Sequence, residues 1–441
     1  MWVVRVMDKL PGNVTPVEAR ECPDCGLLQM VPSLEGGSVA HCGRCNGVLR
    51  RAARQSSDFP LACAALASTL FVAALIIPFM SIRAPGREAS STLFAGPEWL
   101  QERGLWPLAV LVMGVLIVMP GLKLLGLVTV LTASRQTTPP RWMGRVYRYT
   151  KLVSPWAMLE VFVLGSFIAY TRLGQLAKVA IEPGTWFLLG SMLATVTCQA
   201  TMDEEAIWDL AEDGRSDDAD GSHPHVMCHG CGRLERAPEG DECWRCHATL
   251  HVRTPHTVRR TWALTAGAIL MYIPANLLPV MTVRRLGTGD PHTILSGVTE
   301  LFAANLVPLG LLVFIASFVV PILKIVGILV MLISTAMGTD WRLRERTKAY
   351  RVIDAVGRWS MIDVFVLSTL VGLVHMGYLG SVLPGWGAAA FGAVVVLTML
   401  AAEEFDPRVM WDAAASRASA SPASSSSSTS FASPSAPSES S

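Results

Sequence analysis

Eight of the ten cysteines in this 441-residue chain occur as Cys-x2-Cys pairs. The first half carries Cys22, Cys25, Cys42 and Cys45, and the second half carries Cys228, Cys231, Cys243 and Cys246. Two such pairs supply four thiolates to one tetrahedral site, a ligand set that suits Zn²⁺. The spacing does not distinguish zinc from iron. The sequence therefore predicts two closed four-cysteine metal sites, each of which folds a small module.

Two other uses of the cysteines are less consistent with their arrangement. Dithiol redox chemistry needs one Cys-x2-Cys pair, whereas each half supplies two pairs that together make a closed site. A metal transporter would place clustered His or Asp ligands in its apolar segments, and these segments lack such clusters. Cys63 and Cys198 stand alone in apolar segments, where they are predicted to be small buried hydrophobes.

A charged residue lies near the middle of an apolar run in the second half. The run SFVVPILKIVGILVML, residues 317–332, contains Lys324. A charge at the centre of a membrane costs roughly 3 kcal/mol or more unless it is paired or hydrated. The first half has Lys123 at the matching place, and the next apolar run of each half carries one acid, Glu160 or Asp363. An intramembrane lysine–carboxylate pair in each half is the simplest explanation.

The second half adds hydroxyl side chains around its two charges. Ser317 lies two helical turns before Lys324 and on the same face, Ser360 lies three residues before Asp363, and Thr398 lies in the last apolar run. The first half has Leu116 and Ala157 at the positions of the two serines and keeps a threonine, Thr195, at the position of Thr398. This difference favours a polar cavity in the second half, and the alternative is a buried structural ion pair.

The composition is typical of a multi-pass membrane protein. Hydrophobic residues make up 51% of the chain, charged residues 16%, and mean hydropathy is +0.42. The 36 basic and 35 acidic residues nearly balance, so the totals show no footprint of a nucleic-acid partner. Apolar runs of about 18 or more residues predict eight spans, near 60–80, 105–131, 152–171, 184–201, 261–283, 306–335, 359–380 and 385–402. Basic residues concentrate in the loops on one side, which predicts that both termini are cytoplasmic.

The chain is an internal duplication. IIPFMSIR at 76–83 matches LLPVMTVR at 277–284, and VMPGLKLLGLVTVL at 118–131 matches VVPILKIVGILVML at 319–332, both at an offset of 201 residues. The predicted fold is an α-helical polytopic membrane protein with two tandem repeats, each a four-cysteine zinc-ribbon module followed by four transmembrane helices. The predicted parts are the first module 20–55, the first helical unit 56–210, an acidic linker 211–222, the second module 223–256, the second helical unit 257–412 and a disordered tail 413–441.

Several motifs recur at the ends and centres of these segments. The third span of each unit carries WAMLEVFV at 156–163 or WSMIDVFV at 359–366, and the chain's last predicted unit closes with FDPRVMWD at 405–412. Together with the duplicated module and four spans, these motifs resemble the paraquat-inducible protein A family over roughly residues 20–412. The resemblance implies a bacterial inner-membrane protein that carries phospholipid between the two membranes with a periplasm-spanning MCE-domain partner. It also implies metal binding by the eight cysteines and a functional polar network at Ser317, Lys324, Ser360, Asp363 and Thr398.

The functional hypothesis is a lipid-transport component that is not an enzyme. The sequence contains no Walker A motif, nucleophile elbow or HExxH motif. Lys324 would attract a lipid phosphate, and Asp363 would alternate between pairing with Lys324 and carrying a proton. Lys123 and Glu160 are expected to be weaker counterparts. The alternative is a membrane scaffold or regulator, in which the lysine–acid pairs lock helices together and the zinc modules bind partners.

Overall fold

The computed structural model describes residues 17–32, 34–52, 58–84, 87–174, 178–211, 225–285, 288–303, 305, 307–373 and 381–420. Within these residues the chain is mostly helical. Except for Ala211, the predicted acidic linker lies outside the described residues. The segment predicted to be a tail begins inside a helix that ends at Ala420, and residues 421–441 also lie outside the description.

Short antiparallel hairpins build the two cysteine modules. The strands are β1 Val17–Glu21, β2 Leu28–Pro32, β3 Val39–His41 and β4 Val48–Arg51 in the first module. In the first module β1 pairs with β2 and β3 pairs with β4. In the second module β8 His225–Met227 pairs with β9 Leu234–Arg236. Each hairpin encloses one Cys-x2-Cys pair in its turn, which is how residues distant in sequence are brought to one point.

Two helical units with matching element order follow the modules. The first contains α1 Asp58–Ile76, α2 Ala95–Glu102, α3 Trp106–Met113, α4 Met119–Ala133, α5 Met143–Val153, α6 Leu159–Leu173, α7 Pro183–Thr201 and α8 Glu204–Leu210. The second contains α9 Thr257–Leu277, α10 Ile294–Ala303, α11 Val307–Phe314, α12 Val320–Ala336, α13 Leu343–Gly357, α14 Ile362–Leu373, α15 Trp386–Glu404 and α16 Arg408–Ala420. This order confirms the predicted fold class of two tandem repeats.

Six helical stretches in the described residues are long and apolar enough to cross a membrane: Asp58–Ile76, Trp106–Ala133, Met143–Thr171, Gly310–Ala336, Leu343–Leu373 and Trp386–Glu404. The other two predicted spans correspond to α7 and α9, helices of 19 and 21 residues that are less apolar. Two stretches begin earlier than predicted, because the amphipathic helices α5 and α13 run into α6 and α14 through 3-10 turns.

A small sheet closes each unit at the end of the helices opposite the modules, here called the far side. The strands are β5 Met80–Ala84, β6 Arg87–Ser91 and β7 Lys178–Ile181 in the first unit, and β10 Met281–Arg285, β11 Thr288–His292 and β12 Ser381–Pro384 in the second. β5 and β10 are the central strands. These sheets were not predicted, because strands of four or five residues are too short for an alternating pattern to be recognised.

The two units meet along their third spans. The rings of Phe162 in α6 and Phe365 in α14 make an edge-to-face contact, with centroids 5.6 Å apart. Gly165 permits this approach, since a Cβ built there would lie 3.1 Å from the Phe365 Cβ. The short helix α2 also packs on α14, where a Cβ on Gly96 would lie 2.2 Å from the Ser368 hydroxyl. The helix that carries Asp363 is therefore held by the first unit on two sides.

Candidate functional site

The eight predicted cysteine ligands form two buried clusters. Within each cluster the four sulfur atoms all lie within 4.8 Å of one another. In the first cluster the shortest distances between Sγ atoms are 3.5 Å for Cys22–Cys45 and 3.6 Å for Cys25–Cys42. In the second they are 3.4 Å for Cys228–Cys246 and 3.7 Å for Cys231–Cys243. Tetrahedral Zn–S bonds of about 2.3 Å place sulfurs about 3.8 Å apart, so both clusters fit one metal ion each. The sulfur positions do not identify the metal.

Left-handed backbone turns bring the sulfurs together. Gly26 has φ +69° and Gly232 has φ +74°, and the amide of each donates a 2.9 Å hydrogen bond to the carbonyl of the first cysteine in its pair. Asn46 and His247 take the same left-handed conformation after the other two pairs. Glycine adopts this conformation without steric cost, which explains its place directly after Cys25 and Cys231.

The second module packs on the first helical unit, which precedes it in the chain. Its cysteines share a buried apolar cluster with Met143, Tyr147 and Trp208. Arg245, between Cys243 and Cys246, donates a 2.7 Å hydrogen bond to the Trp208 carbonyl and a 2.5 Å bond to Asp209. These contacts fix the module against α5 and α8.

The first module packs on the second unit, at the opposite end of the chain. Its cysteines are buried against Trp411, and the Arg44 guanidinium lies 4.0 Å from the centre of the Trp411 ring. Arg351 of α13 donates a 2.6 Å hydrogen bond to the Cys45 carbonyl and pairs with Asp24 at 3.3 Å. Arg44 and Trp411 occupy the repeat positions of Arg245 and Trp208. Each unit therefore holds one module by equivalent residues. The first module also touches the unit that follows it in the chain, through an ion pair between Arg20 of β1 and Glu205 of α8.

A buried ion network joins the two modules to the end of the second unit. Glu21 accepts hydrogen bonds from Arg253 at 3.0 Å and from Arg408 at 3.2 Å. Arg408 is 1% exposed and also donates to Asp406 at 2.9 Å and to His229 at 2.6 Å. Burial acts to raise the pKa of Asp406, but the hydrogen bonds and charge of Arg408 outweigh it and hold that pKa below its usual value. Asp406 is therefore an anion that anchors Arg408 at the junction.

In the second unit, Ser317 lies in a π-turn that interrupts the second span. The turn is Ile315–Val319, and Ser317 is buried with its hydroxyl donating to the Val313 carbonyl at 2.6 Å. Pro321 has no N–H for the carbonyl four residues earlier, which is that of Ser317, so the helix widens at this point. The first unit has the same π-turn at Gly114–Val118 before Pro120, with Leu116 in place of the serine.

Lys324 and Ser360 meet at one backbone carbonyl. Lys324 is 2% exposed, and its Nζ lies 3.5 Å from the Gly357 carbonyl oxygen. The Ser360 hydroxyl donates to the same oxygen at 2.7 Å. The carbonyl is accessible because α13 ends at Gly357 and a 3-10 turn follows. Gly357 also leaves room for the lysine, since a Cβ there would lie 3.1 Å from Nζ.

Asp363 lines a cavity of about 60 Å³ in the second unit. Its walls are mainly apolar side chains of α14 and α15, together with residues of the far-side sheet and α10. Among the described residues, His292 and Thr293 are the other polar ones that line it. Lys324 is not among the described residues that line this cavity. The π-turn that contains Ser317 contacts α14. It also contacts the 3-10 turn that contains Ser360, and this 3-10 turn contacts α15. Thr398 of α15 is buried and donates to the Val395 carbonyl at 3.0 Å.

Two carboxylates that the sequence analysis missed act on the lysine. Asp354 in α13 and Glu403 in α15 are close enough to interact electrostatically with the Lys324 ammonium. Neither acid lies inside an apolar run of the sequence: Asp354 precedes the predicted span 359–380, and Glu403 follows the predicted span 385–402. Asp354 lies one helical turn before Gly357, so the two residues share one face of α13. This helical spacing is the signal in the sequence that would have identified Asp354. The predicted pairing of Lys324 with Asp363 stays a prediction.

The first unit has a smaller site at the matching position. Lys123, Glu160 and Thr195 line one cavity of about 20 Å³, whose other walls are mainly apolar. Lys123 is 5% exposed and interacts electrostatically with Glu160 and with Arg358 of the second unit. Lys123 and Glu160 therefore line the same cavity, which is the arrangement that an ion pair between them requires.

A sequence model of the family described as paraquat-inducible protein A matches the chain twice, at residues 58–212 and 258–415. The chain belongs to the paraquat-inducible protein A family. The two matches correspond to the two helical units, which confirms the duplication. The family assignment therefore rests on the units that carry Lys123 and Glu160 in one copy and Lys324 and Asp363 in the other.

Curated relatives cover nearly the whole chain. The chain is 32% identical to Intermembrane transport protein PqiA of Escherichia coli K12 over 401 residues, 89% of this chain and 95% of that protein. It is 27% identical to Lipophilic envelope-spanning tunnel protein A of the same organism, over 90% of this chain and 92% of the relative. It is 25% identical to a Probable intermembrane transport protein of Haemophilus influenzae, over 92% of this chain and 98% of that protein. No solved structure matches the chain.

Proposed function

We propose that this protein is the inner-membrane component of an envelope phospholipid transport system, and that lipid enters or leaves through the cavity of the second unit. The observation that carries the proposal is the cavity of about 60 Å³ beside α14, whose walls are mainly apolar and include Asp363, and which would widen to admit a lipid. Apolar walls suit acyl chains, and a few polar groups suit a headgroup. Relatives named for intermembrane transport support the same conclusion.

Lys324 and Asp363 would perform the cycle without covalent chemistry. The Lys324 ammonium attracts the phosphate of a headgroup, and Asp363 carries a proton when it does not pair with a cation. Ser317, Ser360 and Thr398 connect the two charges, and the Gly357 carbonyl already accepts from both Lys324 and Ser360. Asp354 and Glu403 compensate the lysine charge when lipid is absent. A proton gradient would then drive lipid on and off the lysine.

The cysteine modules would have a structural role in this system. The clusters fit Zn²⁺, which would hold each module folded through its four thiolates. With the modules and both termini in the cytoplasm, the far-side sheets face the periplasm. A periplasm-spanning MCE-domain protein is the proposed partner, and it would receive lipid at that side.

The test compares single and paired removal of the two charges. We expect Lys324→Met, Asp363→Leu and the variant with both changes to lose phospholipid transport, because each charge has its own role in the cycle. The measurement is the envelope barrier of cells in which the variant replaces the native chain, with the amount of membrane-inserted protein measured in parallel.

A scaffold predicts a different pattern. Replacing both members of a buried pair is tolerated far better than removing one, because no unpaired charge is left. Recovery of barrier function in the double variant, with both single variants impaired, would therefore reject transport in favour of a structural pair. The first-unit variant Lys123→Met with Glu160→Leu is the matched control, and it should retain function.

A further inference from the structure

A cleft separates the second cysteine module from the start of α5. It encloses about 1480 Å³ of space open to solvent and is lined by Arg141, Trp142, Arg145, Glu242, Trp244 and His247, with Ala211 and Cys243. Glu242 is paired with His247 at 3.5 Å. Arg141 lies in the turn before α5 and Arg145 in the first turn of the helix, and both contribute a positive charge to the cleft.

One face of α5 is built for contact with a membrane surface. Trp142, Arg145, Tyr149 and Leu152 follow a spacing of three, four and three residues, so they share one face of the helix. Trp142, Tyr149 and Leu152 are 47%, 51% and 65% exposed. Exposed Trp and Tyr side chains interleaved with Arg are typical of the boundary between lipid headgroups and acyl chains. The helix then runs into the apolar stretch that ends at Thr171.

The second unit repeats the basic residues without the aromatic wall. Arg344 and Lys348 occupy the repeat positions of Arg141 and Arg145, and both are exposed. The first module, however, has Gly43 and Asn46 at the positions of Trp244 and His247. Trp244 therefore has no aromatic counterpart in the first module, and the Arg233 guanidinium lies 4.1 Å from the centre of its ring.

We propose that this cleft is a binding site for the phosphate headgroup of an anionic phospholipid in the leaflet on the module side. Arg141 and Arg145 bind the phosphate, and Trp142 and Trp244 contact the glycerol and the first carbons of the acyl chains. The site lies away from the Asp363 cavity and binds lipid whether or not the protein transports it. Its occupant bridges the second module and α5, so it stabilises their contact.

Native mass spectrometry of the purified full-length chain tests the site. The chain is titrated with phosphatidylglycerol and, separately, with phosphatidylcholine. Each basic residue at an anionic membrane surface contributes roughly a fivefold factor in affinity, so Arg141→Gln with Arg145→Gln should weaken one phosphatidylglycerol site about thirtyfold. Binding of phosphatidylcholine should not change. Arg145 is exposed, and Arg145→Gln alone gives a fold-preserving variant with about a fivefold loss.

Arg344→Gln with Lys348→Gln is the matched control, and it should leave the tight phosphatidylglycerol site unchanged. An equal loss in both double variants would overturn the proposal in favour of non-specific attraction to basic loops. Complete displacement of phosphatidylglycerol by millimolar inorganic phosphate would also overturn it, because the ligand would then be free phosphate. Unchanged phosphatidylglycerol binding in the Arg141 and Arg145 variants would reject the cleft. The Asp363 variants do not affect this measurement, so its result is separate from that of the transport test.

Discussion

Asp363→Asn is expected to reduce phospholipid transport by about 100-fold or more while the protein still inserts and folds. The change keeps the size of the side chain and its place in the cavity wall, but it removes the group that gains and loses the proton. Loss of a positioned proton carrier typically costs two to four orders of magnitude in rate. The measurement is transport of labelled phospholipid out of the inner membrane in cells that carry only the variant.

Glu160→Gln in the first unit is the matched control for this prediction. Glu160 lines the smaller cavity with Lys123, so the substitution removes the equivalent charge from the unit without the serine cluster. We expect transport to be close to that of the unaltered chain. Full transport by Asp363→Asn would contradict a proton-carrying role for that residue, and equal loss in both variants would contradict the assignment of transport to the second unit.

Removing ligands from one cysteine cluster is expected to destabilise the helical unit that the module contacts. Cys22→Ser with Cys25→Ser should unfold the first module, because binding of the metal supplies most of the folding free energy of such small modules. The first module packs on Trp411 and Arg351, so amide hydrogen exchange should rise about tenfold or more in α13 and α16. α5, which packs on the second module, should exchange as before. The bound metal should fall from two ions to one per chain.

Cys228→Ser with Cys231→Ser should give the converse result. The second module packs on Met143, Tyr147 and Trp208, so exchange should rise in α5 and α8. Cys63→Ser, which changes a cysteine outside both clusters, should keep two metal ions and leave exchange unchanged. Faster exchange in α5 after loss of the first cluster, with none in α13, would show that each module supports its own repeat, contrary to the packing of the modules in this structure.

Features that repeat in the sequence were predictable from it. The eight cysteines were grouped correctly, because the Cys-x2-Cys spacing fixes the local turns and a second pair is needed to complete the site. The order of helices also followed from the apolar runs and the duplication. Ser360 and Lys324 were predicted to belong to one polar region, and their shared contact with the Gly357 carbonyl is consistent with this.

Features that depend on contacts across the chain were not predictable from periodicity. The side chain that covers the first cysteine cluster, Trp411, lies almost at the other end of the described chain, and no local pattern records that pairing. The strand pair β5–β7 joins residues about a hundred positions apart, and its strands are too short to recognise alone. Asp354 acts on Lys324 only because α13 continues into the third span of the second unit.

The most direct test of lipid transport through the second unit is photo-crosslinking from its cavity in native membranes. A photoreactive residue would replace Leu367, which lines the cavity with Asp363, and phospholipid attached to the protein would be detected by mass spectrometry. Leu124 in the first-unit cavity and the fully buried Leu332 are the controls, and the exposed Leu323 reports contact with bulk lipid. Capture at Leu367 that exceeds both buried controls and decreases in Lys324→Met is the predicted result. Capture no greater than at Leu332 would contradict a lipid-filled cavity and return Lys324 to a buried structural charge.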